Sequence, residues 1–496
     1  MQLSDMIASM KTIRTLNDRN TPVRSVTDDS RDVQPGTLFV AVDGEKVDGH
    51  GFIPEAMERG ASAVLCERVP PGELGCPVIQ VPDSRLALSH VAAAAQGHPA
   101  ESLRVIGVTG TDGKTTTTEL IRAILTGAGH PTGCLTTVRS DLGEESRPSD
   151  QTTPHPLALH GMLREMVDAN LTHACMEVSS HALIHQRTAH VPFDTAVMTN
   201  VTRDHLDFHG SMENYIKAKQ RLFEALPPDS VAVLNAECPV WWRYNEATSA
   251  EVLTYGIDSL ADVRLVERRG TVRGTRLQIR TPLDNFSLFS PLVGDYNAEN
   301  VLAAVTAAFG MGIPANAIVN ALENFEGVGG RLEKIASPEG SELPTVFVDY
   351  AHTPNALEKV LNTLRPLTKG RLICVFGCGG DRDREKRPRM GEAASSVADL
   401  SIITADNSRS EKTEDIIEEI VGGIASSDAN YSTEPDRRRA IQQALHAANS
   451  TEDVVAICGR GCEQFQKIGR RKIPFDDRVV VRELMQRACG EQKRIA

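Results

Sequence analysis

Apolar residues recur along this chain with two periods, and the alternation of the two predicts its architecture. Short apolar runs predict buried strands at TLFVAV (37–42), ASAVLCE (61–67), LRVIGV (103–108), TAVMTN (195–200), TVFVDY (345–350), RLICVF (371–376), LSIITA (400–405) and DVVAICG (453–459). In THACMEVSS, Ala174, Met176 and Val178 alternate with neighbours as a strand requires. Helical spacing appears between these runs. It is carried by Leu159, Met162, Leu163 and Met166, by Val301, Ala304, Val305 and Ala308, and by Ile318, Ala321, Leu322 and Phe325. GFIPEAMERG (51–60), NALEKVLNTLR (355–365) and RRRAIQQALHAA (437–448) also read as helices, and MGIP (311–314) is a break. Strands alternating with helices predict an α/β chain with parallel, doubly wound sheets. GHPAES (97–102) and GVGGRLE (327–333) punctuate the pattern, which divides it into three α/β domains at 1–102, 103–333 and 334–496.

The segment GVTGTDGKTTT (107–117) joins a predicted strand to a predicted helix, TELIRAILTGAG. Glycines there let backbone N–H groups converge on phosphate oxygens, and the helix N-terminus adds partial positive charge. Lys114 is placed to reach the β- and γ-phosphates of a nucleotide, and the Thr115 hydroxyl to complete a Mg²⁺ shell. The strict spacing G-x4-G-K-[ST] would need glycine where Val108 stands, so the loop is a variant.

Composition narrows the possibilities. The 496 residues carry 53 basic and 66 acidic side chains, a net charge of −13, which argues against general nucleic-acid binding. No run approaches the roughly 18 apolar residues of a membrane span, and MQLSDMIASMKTIRTLNDRN has no apolar leader core. The expectation is a cytoplasmic protein that engages neither membrane nor nucleic acid, with a monomer as default. The 10 cysteines include Cys374/Cys378 and Cys458/Cys462, whose C-x3-C spacing fits neither zinc nor thioredoxin patterns; reduced structural thiols are expected.

Four clusters could carry chemistry, each with a plainer alternative. Asp204, His205, Asp207 and His209, with Lys217 and Lys219 downstream, form either a metal-binding set or a capped polar loop. Glu177 ends a predicted strand, where a carboxylate suits Mg²⁺ or merely caps the next helix. GCGGDRDREKRPRMG (377–391) holds five basic residues within 382–389 beside Asp381, Asp383 and Glu385, and is either an anion clamp or a solvated loop. TADNSRSE (404–411) places Asn407 and Arg409 at a strand end, for a ligand or for an Asx turn.

Together the segments DDSRDVQPGTLFVAV, GTDGKTTT, TTPHP, MEVSSHAL, MTNVTRDHLDFHG, YIKAK, GDYNAEN, GRLE, DYAHTPNAL, GGDRDREKRP and DNSR, in that order, resemble the Mur ligases of peptidoglycan synthesis over nearly the whole chain. The resemblance implies a three-domain fold: a UDP-binding N-terminal domain, a central P-loop ATPase-like domain and a Rossmann-like C-terminal domain that binds an amino acid. It implies ATP-dependent ligation of meso-diaminopimelate to the D-Glu γ-carboxylate of UDP-N-acetylmuramoyl-L-Ala-D-Glu through an acyl phosphate. By the same resemblance Gly110, Thr111, Asp112, Gly113, Lys114, Thr115, Thr116, Asn297, Arg331 and Asp349 hold ATP. Thr115 and Glu177 contact one Mg²⁺, and His205 a second with Lys219, which matches the lysine carbamylated in the family. Ser30, Thr152, Thr153, Ser179, His185 and Arg187 hold the UDP-linked precursor, and Arg387, Asp406, Asn407, Arg409, Gly459 and Glu463 the diaminopimelate. Three departures concern the amine. Ser408 replaces the proline of a D-N-P-R segment, and Arg460 and Cys462 depart from a G-K-G-H-E run. L-Lysine or another diamine, a folylpolyglutamate-synthetase-like ligase and a silent nucleotide-binding scaffold are the alternatives.

Overall fold

A strand buried on both faces must feed two cores, and the run Thr37–Ala41 does so. Leu38 and Val40 enter one apolar cluster with Leu65, Ile79 and Val91, while Phe39 and Ala41 enter another with Ile53, Val64 and Val78. The computed structural model describes the chain except residues 45–46, 73, 150, 258–259, 339–340, 425–428 and 496, and no side chain from 491 onward. Contacts group the residues into two units. The first holds Met1–Leu265, Ile279–Phe286 and Glu299–Leu322; the second holds Val266–Gln278, Ser287–Ala298 and Glu323–Ala496.

The first unit begins with a five-stranded sheet in the order Arg14–Leu16, Val78–Gln80, Ala63–Cys66, Thr37–Ala41, Ser25–Thr27, parallel except at its first pair. Its helix Ser84–Ala95, capped by the Asp83 carboxylate on Leu86 N, packs on helix Pro156–Asp168 of the following segment. That segment carries a second sheet. Its central strand Arg104–Thr109 lies between His173–Glu177 and Thr195–Met198, with Thr132–Leu135 and Val231–Asn235 outside them, all parallel. Glu177 pairs in register with Val108, and Met198 with Thr109, so three strands end level at one edge.

In the second unit, strands Thr345–Asp349, Val454–Cys458, Leu372–Phe376, Leu400–Thr404 and Tyr431–Glu434 run parallel in that order, with Glu333–Ile335 antiparallel at the edge. Both faces are apolar, one covered by Leu357, Leu361 and Met390, the other by Ile441, Val481 and Met485. Beneath the strand ends lies an ion pair with no exposed surface. Arg437 binds both Asp477 oxygens at 2.7 Å and donates to the carbonyls of Ala405 (3.1 Å) and Cys458 (3.0 Å).

The predicted strands and helices appear in place, with one shift. Helix Ala315–Glu323 ends before Phe325, which lies half-buried in the loop toward the glycine-rich run at 327–330. The ten cysteines are free thiols, nine of them buried. Among the described residues no helix is long and apolar enough to cross a membrane.

His160, on helix Pro156–Asp168, is fully buried, and burial with His190 nearby holds its imidazole down to about 4. It stays neutral when folded and gains a proton when unfolded below its ordinary 6.5, so stability should fall as pH drops from 6.5 toward about 4 and then level off. Thermal unfolding of the wild type and His160→Leu at about pH 7.5 and about pH 5 checks this. The variant should lose less on acidification, and an equal loss in both would refute the assignment.

Candidate functional site

The glycine-rich turn after Arg104–Thr109 leads directly into helix Lys114–Gly127, and its shape is imposed from the neighbouring strand end. Thr111 N donates to Asn200 O (2.9 Å), Asp112 N to Asn200 Oδ1 (2.9 Å), and Thr199 Oγ1 to Asp112 O (2.6 Å). The Thr111 hydroxyl meets the Tyr215 hydroxyl at 3.1 Å and donates to Thr202 O at 3.2 Å. Gly113 caps the helix at φ +82°, and an added Cβ there would sit 2.2 Å from Asn300 Oδ1. Thr115 and Thr116 are buried in the first turn. Lys114 Nζ folds back on the loop, donating to the carbonyls of Gly110 (3.0 Å) and Thr111 (2.9 Å).

Lys219, on helix Met212–Glu224, points under the same loop. Its side chain is 1% exposed, Nζ donates to Gly110 O at 2.7 Å, and the amine lies 4.5 Å from the Tyr215 ring centroid. Burial, reinforced by the nearby Lys114 ammonium, pushes this amine well below the usual lysine range. Glu177, also 1% exposed, is no helix cap. Its oxygens accept from Thr137 N (2.7 Å) and Thr137 Oγ1 (3.2 Å), and Ser179 caps the next helix instead. His205 takes a left-handed backbone, φ +50°, half-exposed beside Asp204 (3.3 Å), with its ring 4.8 Å from His181. His209 is turned inward to the Ser180 hydroxyl at 2.9 Å.

The residues expected at the precursor form a connected set. The Thr137 and Thr152 hydroxyls meet at 3.0 Å, Thr153 Oγ1 donates to Glu177 O (2.9 Å), and Ser179 N to Thr153 Oγ1 (3.0 Å). Arg187 donates to Thr153 O (3.0 Å) and Gln151 (2.8 Å), and His185 meets Arg85. Ser30 donates to Glu55 at 3.0 Å, and nearby Asp28 meets His155 at 3.1 Å.

Asn297, Arg331 and Asp349 belong to the second unit. Asp349 is pushed up by burial, although Leu332 N (2.6 Å) and Ala351 N (2.7 Å) both donate to its carboxylate. Asn297 donates to Val293 O, and the Arg331 guanidinium lies over Tyr350 at 4.9 Å. At the same strand edge Asn407 Nδ2 donates to Glu463 at 2.8 Å, and Asp406 lies against Gly459. Arg409 has φ +50° and donates to Gly380 O at 2.7 Å. Arg387, expected at the same subsite, is held by two carboxylates. Its guanidinium is fully buried and taken by Glu411 (2.8 and 2.9 Å) and Glu419 (2.9 Å), which makes it an internal brace of the 379–387 loop.

Thr199, Asn200, Thr137 and Glu411 were not singled out from the sequence. The first two directly follow a buried strand, Thr195–Met198, and a polar pair at such an edge was the available signal.

Three family models match in succession: "Mur ligase family, catalytic domain" over residues 22–96, "Mur ligase middle domain" over 108–308 and "Mur ligase, glutamate ligase domain" over 330–461. A UDP-N-acetylmuramoyl-L-alanyl-D-glutamate--2,6-diaminopimelate ligase of Gloeobacter violaceus is 44% identical over 474 residues, 95% of this chain and 96% of that protein. A solved structure of a ligase of the same name matches with TM-score 0.72 and 31% identity, covering 96% of this chain and 97% of its own. Mycobacterium tuberculosis folylpolyglutamate synthase, complexed with ADP and AMPPCP, shares the fold at TM-score 0.61 and 20% identity, over 82% of this chain and 95% of its own.

An added methyl at Gly110 would fall 1.8 Å from Thr199 Oγ1 and force apart the contact that shapes the loop. Gly110→Ala should therefore weaken ATP binding about tenfold or more, the effect of about 1–3 kcal/mol for a disrupted buried polar group. Calorimetric titration with an ATP analogue measures it; unchanged affinity would show that this loop does not hold the nucleotide.

Proposed function

The chain belongs to the Mur ligase family, and from that premise we propose that it ligates meso-diaminopimelate to the D-Glu γ-carboxylate of UDP-N-acetylmuramoyl-L-Ala-D-Glu, at the expense of ATP, in peptidoglycan precursor synthesis. The carrying observation is the likeness, over 95% of the chain, to a 2,6-diaminopimelate ligase. ATP transfers its γ-phosphoryl group to the carboxylate, and ADP departs. The amine of diaminopimelate then attacks the acyl carbon, loses a proton and expels phosphate, leaving the amide.

Positioning and charge neutralisation carry such a reaction, since the phosphoryl group needs little covalent help. The loop amides of 110–116 cradle the phosphates, and Lys114 exchanges its two loop carbonyls for phosphate oxygens when ATP arrives. The donor set suits Mg²⁺: Glu177 is a buried carboxylate held in orientation by Thr137, Thr115 is a buried hydroxyl in the first turn of helix Lys114–Gly127, and both are hard oxygen donors. Bound there, Mg²⁺ neutralises charge on the phosphate oxygens. We assign His205 and Lys219 to a second ion, with Lys219 as its carbamate. Burial that holds this amine below its usual range favours the neutral form that attacks CO₂; the N–C bond forms as a C–O π bond opens, a proton leaves, and the amine becomes a carboxylate-like oxygen ligand.

We assign residues 1–102, with Ser30, to the UDP end, and 103–333 to ATP and the acyl donor, with Thr152, Thr153, Ser179, His185 and Arg187 on the peptide. To 334–496 we assign the amine, with Arg409 for its distal carboxylate beside Arg387, Asp406, Asn407, Gly459 and Glu463. Asn297, Arg331 and Asp349 complete the nucleotide set. The cytoplasm is the inferred place of work.

Phosphate release with the UDP-linked dipeptide, Mg-ATP and either meso-diaminopimelate or L-lysine tests the reading. Turnover with diaminopimelate is expected, and turnover with lysine alone would overturn the amine assignment. Arg409→Ala should raise KM for diaminopimelate by about ten- to a hundredfold, the loss of a charge-assisted pair, and full retained selectivity would remove Arg409 from the site. Enzyme equilibrated with ¹³C-bicarbonate should show a carbamate carbon by NMR that is absent in Lys219→Arg.

A further inference from the structure

Arg460 stands in the GRGCE turn where the family pattern has lysine, and its side chain has no exposed surface. Its guanidinium fork serves three acceptors. Nη1 donates to Asn407 Oδ1 at 3.2 Å and lies 3.5 Å from a Glu463 carboxylate oxygen, while Nη2 donates to the carbonyls of Phe465 (2.8 Å) and Phe475 (3.1 Å). The guanidinium carbon also sits 5.7 Å from the Phe475 ring centroid. Phe465 and Phe475 bracket an antiparallel hairpin, Phe465–Ile468 with Arg471–Pro474.

That hairpin is fastened along the 406–409 segment. Gln466 Nε2 donates to Asp406 O (2.7 Å), Lys467 N to Asn407 Oδ1 (2.8 Å), Arg409 N to Lys467 O (3.0 Å) and Gly469 N to Arg409 O (2.6 Å). On the other side of the turn, Gly459 N and Gly461 N both donate to Asp349 O, at 3.1 and 3.2 Å. Gly461 also packs so closely on Gly330 that a Cβ would fall 2.7 Å from Gly330 O. The turn is thus fixed at its back, and Arg460 extends from it to the amine-side residues.

We propose that Arg460 is a positioning residue for the amine-donor subsite, holding Asn407 and Glu463 in orientation and anchoring the 465–475 hairpin against the segment that carries Arg409. It reaches none of the reacting atoms itself. A lysine is a single charged nitrogen and cannot span an amide oxygen and two carbonyls arranged around a planar fork. In this chain the amine is therefore read through a braced hairpin rather than through the 406–409 segment alone. The inference rests on the amide-ligase reading, with the amine subsite on 406–409 and 459–463.

The test is steady-state kinetics of full-length wild type, Arg460→Lys and Gln466→Ala, varying each of the three substrates in turn. Arg460→Lys should raise KM for the amine about tenfold, with kcat and both other KM values within about twofold, as expected for lost orienting hydrogen bonds. Gln466→Ala cuts the other side-chain tie of the hairpin without touching Arg460, and should give a smaller rise confined to the same substrate. If Arg460→Lys destabilises the fold, Gln466→Ala decides alone. An unchanged amine KM in both variants, or a fall in kcat shared by all substrates, overturns the proposal. Absence of any wild-type amide formation overturns the ligase reading and this inference with it, whereas turnover with a different amine leaves the same KM comparison to be made on that amine.

Discussion

A parallel sheet ends all of its strands at one edge, and there the next backbone must turn away without a ladder partner. In the first unit three adjacent strands stop level at that edge, and each hands on one piece of chemistry. The central strand delivers the phosphate loop, one neighbour delivers Glu177, and the other delivers Thr199 and Asn200, which clamp the loop. The Gly110 carbonyl then becomes a shared anchor, accepting from both Lys114 and Lys219. Burial first, and then the Lys114 ammonium converging on the same carbonyl, disfavour a second charge there and lower the affinity of Lys219 for its proton. The second unit follows the same rule, with Asp349, 406–409 and 459–463 all leaving one edge.

What could be read from the chain was local. Buried strands announce themselves as apolar runs, and the phosphate loop is contiguous from strand to helix, so GTDGKTTT could be placed before any coordinates. Glu177 was legible as a strand-end acid, but its partner Thr137 lies forty residues earlier and leaves no trace beside it. The clamp of Thr199 and Asn200 is further away still. Burial is the property that spacing hides best: Lys219 sits among polar neighbours in sequence, yet is 1% exposed. Arg387 shows the same limit from the other side: a basic cluster in the sequence does not reveal that Glu411 and Glu419, from a loop and another helix, pair with its guanidinium. Phe325 kept the helical period two residues beyond the helix because periodicity does not record where a backbone stops.

Buried charges divide in this protein by what they face. Arg437 and Asp477 satisfy each other and two strand-end carbonyls, an internal pair whose removal on one side would strand the other. Among the described residues, the hydrogen-bond acceptor of Lys219 is a carbonyl rather than a carboxylate. Closed pairs of the first kind fix the edges of the sheet, and open ones of the second kind leave reactivity in place.

Both His205 and Arg409 sit at φ +50°, a region that side chains with branched Cβ atoms avoid and that glycine, asparagine and aspartate tolerate. At each position the side chain's aim and the backbone's turn are therefore separable quantities. Across a full substitution scan, glycine or asparagine would keep the turn while erasing the group, and valine or isoleucine would erase both. The tolerance profile of these two positions would then run opposite to that of an ordinary helix or strand residue, with small and flexible replacements ranked above bulky, hydrophobic ones.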